Sequence, residues 1–268
     1  MHRLLVDTAL LAEEAPQLPA DAARHLRVVR PKSGESVELF DGRGSWRVYV
    51  YCGGGLQAAS QTSRTSHTSH TLTLFACVTK GSRWDWTVEK ATELGVTRIV
   101  PVISDRTIVR IPKPERAAKR ERWLRVAEDA ARQSDAKWLP EIVEPVDFAD
   151  ALPLVRETTC FIGALTSPPS EPIAKAVEGR RPQSVATFVG PEGDFTPEEL
   201  NALMRVAIPV SFGPTVLRAE TAAIFALSVL AARLHARSAV PTVAEHVESL
   251  DLTMKISATG EDVSSGFS

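Results

Sequence analysis

The chain has 268 residues, of which 44% are hydrophobic and 24% are charged. This composition is ordinary for a globular protein and excludes a wholly disordered chain, a collagen-like fibre and a long coiled coil. No stretch reaches the roughly 18 apolar residues that span a bilayer. Residues 1–15 lack the apolar core of a secretory signal, and Cys52, Cys77 and Cys160 lie too far apart for a disulfide framework or a four-thiolate zinc site. We therefore expect a cytoplasmic protein with no membrane segment and no metal.

The charge is distributed unevenly along the chain. Residues 1–140 carry 22 Lys and Arg against 16 Asp and Glu, a net charge of +6. Residues 141–268 carry 9 against 17, a net charge of −8. A basic first half indicates an anionic partner that is met mainly through this part of the chain, although a solvated charged surface gives the same composition.

The first 70 residues predict a small β-barrel or sandwich. Alternation and turn residues indicate strands at Leu4–Asp7, Val37–Phe40 and Trp46–Tyr51. A short helix is predicted at Ala22–Arg30, with Arg24, Arg27 and Arg30 along a basic edge. The segment Ser60–Thr71 has almost nothing to bury, which predicts a linker or an exposed hairpin. We assign no metal to its histidines, His67 and His70.

From Leu72 onward, predicted strands alternate with predicted helices. The strands are Leu72–Thr79, Val96–Ile103, Thr159–Ala164, Ser184–Val189 and Pro209–Phe212. The helices are Trp84–Leu94, Pro114–Ser134, Thr196–Val206 and Ala219–His235. This alternation predicts an α/β fold with a mostly parallel sheet covered on both faces. The acidic end of the chain is expected to be a disordered tail.

Ligands of an open parallel sheet bind at the carboxyl ends of its strands, where three loops of this chain are candidates. In Val189–Phe195, two glycines flank Pro191-Glu192 and permit close backbone approach, and Thr196 with Glu199 predicts a capping box on the next helix. The loop Phe212–Leu217 leads to Arg218 and Glu220 at the start of a helix, and the third loop is Gly163–Pro169. From spacing alone, the first loop could be a tight turn and Arg218 could pair with Glu220.

Several enzyme classes are disfavoured by missing motifs. The sequence has no phosphate-binding P-loop, no dinucleotide-binding glycine fingerprint, no nucleophile elbow and no zinc-protease helix. An ordinary nucleotide hydrolase or dinucleotide oxidoreductase is therefore not expected.

Five motifs in order resemble the SPOUT superfamily of RNA methyltransferases, and most closely its RsmE type. They are His25-Leu26-Arg27-Val28-Val29-Arg30, Lys80-Gly81-Ser82-Arg83, Lys90-Ala91-Thr92-Glu93-Leu94-Gly95, Val189-Gly190-Pro191-Glu192-Gly193 and Leu217-Arg218-Ala219-Glu220-Thr221-Ala222. Gln133-Ser134 lies between the third and fourth motifs, and the resemblance covers about residues 1–236. In the family, Gln-Ser is commonly followed by Gly-Arg, whereas this chain has Asp135-Ala136; Asp194 also stands where a glycine is often found.

The resemblance implies a fold and a reaction. Residues 1–70 should form a PUA-like RNA-binding β-barrel, residues 71–236 a SPOUT methyltransferase domain with a C-terminal trefoil knot, and residues 237–268 the acidic tail. The family methylates N3 of a uridine in 16S ribosomal RNA, either free or within the assembled small subunit, uses S-adenosylmethionine and works as a homodimer. Alternatives are another SPOUT enzyme acting on a tRNA base or a ribose 2′-hydroxyl, or a non-catalytic RNA-binding assembly factor.

The resemblance also implies site residues. Arg218 and Glu220 are the expected catalytic residues, with Arg218 stabilising the N3 anion and Glu220 orienting it. The expected cofactor-binding residues are Leu165, Val189, Gly190, Pro191, Glu192, Gly193, Phe212, Gly213, Leu217 and Thr221. The expected RNA-binding residues are Arg24, Arg27, Arg30, Lys80, Arg83 and Gln133, and Lys137 is a positional substitute for the family's arginine.

Overall fold

The structure is a computed structural model that describes residues 1–66, 70–155, 158–164, 170–178, 180 and 183–235. Its strands form two sheets, both within the unit Met1–Ala231. The remaining unit, Ala232–Ser268, is described only as far as His235, where the last helix ends. The tail predicted at 237–268 therefore lies outside the described residues.

The first sheet is built from five short strands. They are β1 (His2–Leu5), β2 (Ser36–Phe40), β3 (Ser45–Cys52), β4 (Gly55–Ala58) and β5 (Ser63–Arg64). Strand β1 is parallel to β2, and the pairs β2–β3, β3–β4 and β3–β5 are antiparallel. Helix α1 (Ala20–Val29) buries Ala22 and Leu26, which lie four residues apart and so share one helical face.

The predicted strands of this region are confirmed, with boundaries that move by at most two residues. Helix α1 begins two residues before the predicted start, and Arg30 ends it in the left-handed region with φ of +48°. The predicted linker Ser60–Thr71 includes the short strand β5, which pairs with Ser45 and Trp46. This strand has no hydrophobic pattern that would predict it from the sequence. It is held instead by pairing with the backbone of β3.

The second sheet contains seven strands among the described residues, and all its pairs are parallel. The strands are β6 (Thr71–Cys77), β7 (Arg98–Ile103), β8 (Glu141–Ile142), β9 (Val146–Asp147), β10 (Thr159–Gly163), β11 (Ser184–Val189) and β12 (Ile208–Val210). The helices after α1 are α2 (Ser82–Glu93), α3 (Lys113–Ser134), α4 (Phe148–Ala151), α5 (Ile173–Ala176), α6 (Pro197–Leu203) and α7 (Ala219–His235). The predicted α/β fold with a parallel sheet is confirmed.

The centre of this sheet is buried on both faces. Consecutive residues of β6 and β11 are buried, as expected where helices cover both sides of a parallel sheet. The rings of Phe75 on β6 and Phe188 on β11 stack with centroids 4.5 Å apart. These neighbouring strands therefore form a rigid base for the loops that follow them.

The strand order places three candidate loops side by side. The order is β12-β10-β11-β6-β7-β8, with β9 pairing with β7. Because β12, β10 and β11 are neighbours and parallel, their carboxyl ends meet at the same edge of the sheet. The loops that begin at Ala164, Gly190 and Ser211 start from this edge.

Candidate active site

A cleft of about 540 Å³ lies at the carboxyl ends of β10, β11 and β12. Its volume falls in the range of about 300–1,000 Å³ that is usual for small-molecule sites. Its lining comes from Gly163 and Ala164 after β10, from residues 189–194 after β11, and from residues 210–213, 215–219 and 222 after β12. The three loops selected from the sequence thus share one cavity.

Close packing of Phe212 against the main chain shapes one wall of the cleft. A Cβ atom on Gly163 would lie 2.2 Å from Cε2 of Phe212, so only glycine admits the ring at this position. The same ring lies 6.0 Å from the ring of Phe225 on α7, measured between centroids. Gly213 follows with φ of +121°, and an added Cβ there would meet nothing within 4 Å. The backbone at Gly213 is therefore uncovered in the cleft.

The turn after β11 forms a second wall. Asp194 adopts a left-handed backbone with φ of +60°, and its Oδ1 accepts the amide N–H of Phe195 at 2.7 Å. The N–H of Asp194 donates to the carbonyl of Pro191 at 2.9 Å, which closes the turn. Aspartate is one of the few residues besides glycine that tolerates this conformation. The departure at Asp194 therefore preserves a turn that glycine would also permit.

Two side chains hold this turn in place. Arg106, in the loop after β7, donates from Nη1 to the carbonyl of Gly193 at 3.0 Å. Glu199 accepts the N–H of Asp105 at 2.9 Å through Oε1 and the N–H of Thr196 at 3.0 Å through Oε2. The Thr196 hydroxyl in turn accepts the N–H of Glu199, which confirms the predicted capping box. Sequence analysis could not predict the contacts from Arg106 and to Asp105, because they join residues about 90 positions apart.

Arg218 is exposed at the cleft, and its side chain makes no hydrogen bond or ion pair with any described residue. Its suggested pairing with Glu220 is not formed. The Glu220 side chain is 12% exposed and its Oε1 lies 3.9 Å from Nε of Arg83, at the start of α2. Its Oε2 is buried without a hydrogen-bond partner. Glu220 thus faces α2. It forms no bond with the Arg218 side chain, so it does not orient that side chain directly.

Arg83 links both loops to the first turn of α2. Besides facing Glu220, its Nη1 lies 3.4 Å from Oε1 of Glu192 in the turn after β11. The Arg83 side chain remains 47% exposed, so it is positioned by carboxylates and still reachable from solvent. The structure gives this residue a positioning contact that the sequence did not indicate, and its RNA contact stays a prediction.

Most of the residues expected to bind the cofactor line the cleft. They are Val189, Gly190, Pro191, Glu192, Gly193, Phe212, Gly213 and Leu217. Thr221 is exposed and does not line it, because its neighbours Ala219 and Ala222 on α7 take that face of the helix. Leu165 lies outside the described residues.

The expected RNA-binding residues are on the surface but are not gathered in one place. Arg24 pairs with Asp21 at 3.2 Å, whereas Arg27 and Arg30 line a second cleft on the first sheet. Lys80 and Gln133 are exposed. Lys137 is 12% exposed and forms ion pairs with Glu38 and Asp135, so it is not free to take the place of the family's arginine.

The described part of the chain offers little support for thiol chemistry, a metal site or a membrane-spanning helix. Burial raises the pKa of the Cys77 thiol to about 11 and that of Cys160 to about 12, so both stay protonated at neutral pH. No group of three or more His, Cys, Asp or Glu in the described ranges could hold a metal ion. None of the described helices is both long and apolar enough to cross a membrane.

Comparisons with known proteins agree with this site. A family model described as an RNA methyltransferase domain matches residues 66–231. The ribosomal RNA small subunit methyltransferase E of Synechocystis sp. is 31% identical over 242 residues, which cover 87% of this chain and 78% of the relative.

Two solved structures match nearly the same length. The ribosomal RNA small subunit methyltransferase E of Neisseria gonorrhoeae, bound to S-adenosylmethionine, has a TM-score of 0.73 and 28% identity over 86% of this chain and 96% of its own. A methyltransferase from Legionella pneumophila with bound S-adenosylmethionine has a TM-score of 0.74 and 28% identity over 87% of this chain and 96% of its own. The chain therefore belongs to the RNA methyltransferase domain family, and within it to the ribosomal RNA small subunit methyltransferase E group.

Proposed function

We propose that this chain methylates N3 of a uridine in 16S ribosomal RNA. It is an rRNA methyltransferase that depends on S-adenosylmethionine, as the names and bound cofactor of its relatives support. The observation that carries the more specific proposal is the joint position of an uncovered glycine-rich cleft and an unpaired arginine, Arg218, at its edge. The cleft suits a nucleoside cofactor, and the arginine suits an anionic nucleophile.

The residues of the cleft fit S-adenosylmethionine. The half-buried side chains of Phe212 and Leu217 offer apolar surface to an adenine, and the main chain at Gly190 and Gly213 offers hydrogen-bonding groups for its edge. When bound, the cofactor supplies a methyl group on a positively charged sulfur. The three loops would hold it in one orientation, and positioning supplies much of the acceleration of a displacement reaction.

Arg218 would act on the base rather than on the cofactor. The N3 atom of uridine must lose its proton before it can attack a methyl group. A guanidinium beside it stabilises the anion and lowers the pKa of the base. Since Arg218 has no carboxylate partner among the described residues, its positive charge is not already neutralised.

The same proposal includes the domain architecture and partners. Residues 1–70 would be the PUA-like barrel, and residues 71–236 the methyltransferase domain. The bridge between Pro172 and Ser211, beside the bond from Ala164 to Val210, supports a knot in which the chain after β12 passes the loop after β10. A homodimer is supported by α7 and the preceding loop, which leave Phe225 39% and Val216 82% exposed. The cytoplasm would supply the rRNA, free or in the assembled small subunit.

Nucleoside mass spectrometry tests this function. Unmodified 16S rRNA and small subunits are incubated with the protein and isotopically labelled S-adenosylmethionine, and the nucleosides are analysed. We expect one labelled methyl group, on N3 of uridine. A parallel incubation uses unmodified tRNA. A label on tRNA or on a ribose 2′-hydroxyl would overturn the assignment, and calorimetry that detects no binding of the methyl donor would leave only an RNA-binding assembly factor.

A further inference from the structure

Two acidic residues stand in the wall of the cleft that is formed by the turn after β11. Glu192 and Asp194 both line the cleft, and Arg218 is the one basic residue among the described residues that line it. The Asp194 carboxylate already accepts the N–H of Phe195 within the turn. The carboxylate of Glu192 instead contacts a side chain that lies outside the cleft lining. The shape of the turn therefore does not explain the charge of Glu192.

The partner of Glu192 is Arg83, in the first turn of α2. Nη1 of Arg83 lies 3.4 Å from Oε1 of Glu192, and the two side chains are 47% and 30% exposed. An ion pair at this exposure is weak, because solvent screens it and the ordering of two long side chains costs entropy. Arg83 thus reduces the negative charge of this wall without closing the cleft itself.

Arg83 also has a second carboxylate within reach. Its Nε lies 3.9 Å from Oε1 of Glu220, whose side chain is 12% exposed. The other oxygen of Glu220, Oε2, is buried and has no hydrogen-bond partner. A guanidinium can donate to both oxygens of one carboxylate, which is the stronger arrangement. Arg83 can therefore leave Glu192 and still keep an anionic partner.

The two small molecules that the cleft must distinguish differ in charge. S-adenosylmethionine carries a positive charge on its sulfur, whereas S-adenosylhomocysteine, which remains after the methyl group is transferred, has a neutral thioether. A carboxylate in the wall attracts the first molecule more strongly than the second, and the attraction grows where water is excluded. A cation that already occupies this carboxylate opposes the attraction.

We propose that Glu192 and Arg83 together set the selectivity of the cleft for the charged methyl donor over its neutral product. The sulfonium would compete with Arg83 for the carboxylate of Glu192, and Arg83 would then move onto Glu220. The inference rests on the proposed function, because it places the methyl donor in this cleft. It makes Arg83 a positioning residue that controls the charge of the cleft.

Calorimetry with S-adenosylmethionine and with S-adenosylhomocysteine measures two dissociation constants for each variant of the full chain. Glu192→Gln keeps the shape of the side chain and an acceptor for Arg83, and should raise the Kd for the methyl donor about fivefold. Arg83→Gln frees the carboxylate and should lower the same Kd about threefold. Neither variant should change the Kd for the neutral product by more than about twofold.

The double variant separates competition for Glu192 from a general effect of charge. Once Glu192→Gln is present, adding Arg83→Gln should change the Kd for the methyl donor by less than about twofold, because Arg83 acts by occupying that carboxylate. Additive effects of the two substitutions would overturn the inference. Arg83→Lys keeps the positive charge and should return the ratio of the two dissociation constants toward the parental value.

Arg122→Gln is the matched control. Arg122 pairs with Asp85 in the same first turn of α2, and neither residue lines the cleft. The ratio of the two dissociation constants should stay within about twofold of the parental value, since charges this far into solvent are screened. If Arg122→Gln shifts the ratio as much as Arg83→Gln, or if Arg83→Gln weakens both ligands equally, Arg83 does not control selectivity.

Methyl transfer to rRNA separates this inference from the proposed function. A parent protein that methylates N3 of uridine, while Glu192→Gln binds the methyl donor as tightly as the parent, would overturn the inference alone. A parent protein whose variants follow the expected pattern of dissociation constants, but which never transfers a methyl group to rRNA, would overturn the proposed function alone.

Discussion

Arg218 stands in an unusual electrostatic position for an arginine beside a ligand cleft. The carboxylate two residues further along the chain, Glu220, faces Arg83 instead, and Glu192 also lies against Arg83. Arg83 therefore pairs with the carboxylates of Glu192 and Glu220. These carboxylates do not neutralise the positive charge of Arg218. The positive charge of Arg218 would thus be in place before an anion forms during the reaction. Preorganised charges of this kind lower the free-energy barrier of the reaction.

Replacement of this arginine by a neutral residue tests the argument. We expect Arg218→Gln to lower kcat by about 10²–10³-fold, as is typical when one stabilising donor is removed from a site of charge development. The dissociation constant for S-adenosylmethionine should change little, because the charge acts on the base. The remaining activity should rise as the pH is raised, since solvent then deprotonates N3 without help.

Two readouts distinguish this role from a structural one. Arg218→Lys keeps the charge and should restore part of kcat, although an ammonium lacks the planar donors of a guanidinium. If Arg218→Gln instead raised the Kd for the methyl donor and left kcat unchanged, Arg218 would be a cofactor ligand. Steady-state kinetics with rRNA and calorimetry with the methyl donor provide both quantities.

Two aspartates that stand where the family pattern has glycines adopt a backbone conformation that favours glycine. Asp135 ends α3 with φ of +63°, and Asp194 has φ of +60° in the turn after β11. Short polar side chains tolerate this left-handed region better than other residues that carry a Cβ. The sequence alone does not reveal this conformation, since a residue's φ angle cannot be read from its identity.

The turn after β11 depends on contacts from the loop that follows β7. Arg106 donates to the carbonyls of Gly193 at 3.0 Å and of Phe195 at 3.4 Å. Because Gly193 lines the cleft, the position of this carbonyl helps to fix the shape of the site. Arg106 is thus a positioning residue that acts through the turn.

We expect Arg106→Gln to raise the Kd for S-adenosylmethionine about tenfold, which corresponds to one hydrogen bond that involves a charged group. Arg110→Gln is the matched control, because Arg110 donates only to Ser104 and Asp105 within its own loop among the described residues. Calorimetry measures both variants. Equal losses in the two would mean that the order of the loop after β7, rather than the bond to Gly193, controls the site.

Most of the longer helices and strands of this fold were accessible to sequence analysis, and the two-residue strands were not. Helices α3 and α7 and strand β11 were predicted within one residue, because many residues repeat the same pattern. Strands β8 and β9 have two residues each and exist through their pairing with β7. For the site, glycine-rich loops could be selected by composition, but the contacts of Arg83 and Arg106 depend on tertiary structure.

An ionic cluster around the buried carboxylate of Glu38 joins the first sheet to the end of α3. Glu38 on β2 is 2% exposed and lies 3.5 Å from Arg3, and it also pairs with Lys137. Asp135 lies 2.9 Å from Arg3 and 2.5 Å from Lys137, so two cations and two carboxylates alternate. The ammonium of Lys137 also lies 5.0 Å from the centroid of the Trp46 ring. Arg3 and Glu38 of this cluster lie on the first sheet, and Asp135 and Lys137 lie at the end of α3 and just after it.

Replacing one charged residue of the cluster should lower the free energy of unfolding by more than the cluster as a whole contributes to it. Lys137→Met leaves the buried carboxylate of Glu38 with Arg3 alone, and breaking a buried pair in this way costs about 3–5 kcal/mol. At this chain length the melting temperature should fall by about 6–20 °C. Adding Glu38→Leu to Lys137→Met removes the stranded charge and should restore much of that loss, since apolar replacements of buried ion pairs are often neutral.

The loss of stability in Lys137→Met should affect cofactor binding and methyl transfer differently. This difference separates a stabilising role of the cluster from a role in positioning the first sheet. At a temperature where Lys137→Met is still folded, its Kd for S-adenosylmethionine should equal that of the parent, because none of the four residues lines the cleft. Methyl transfer to rRNA should fall, since under the proposed function the first sheet would hold the RNA while its base reaches Arg218. A variant that loses stability but transfers methyl groups to rRNA at the parental rate would show that the junction is structural and that the first sheet does not need a fixed position for the reaction.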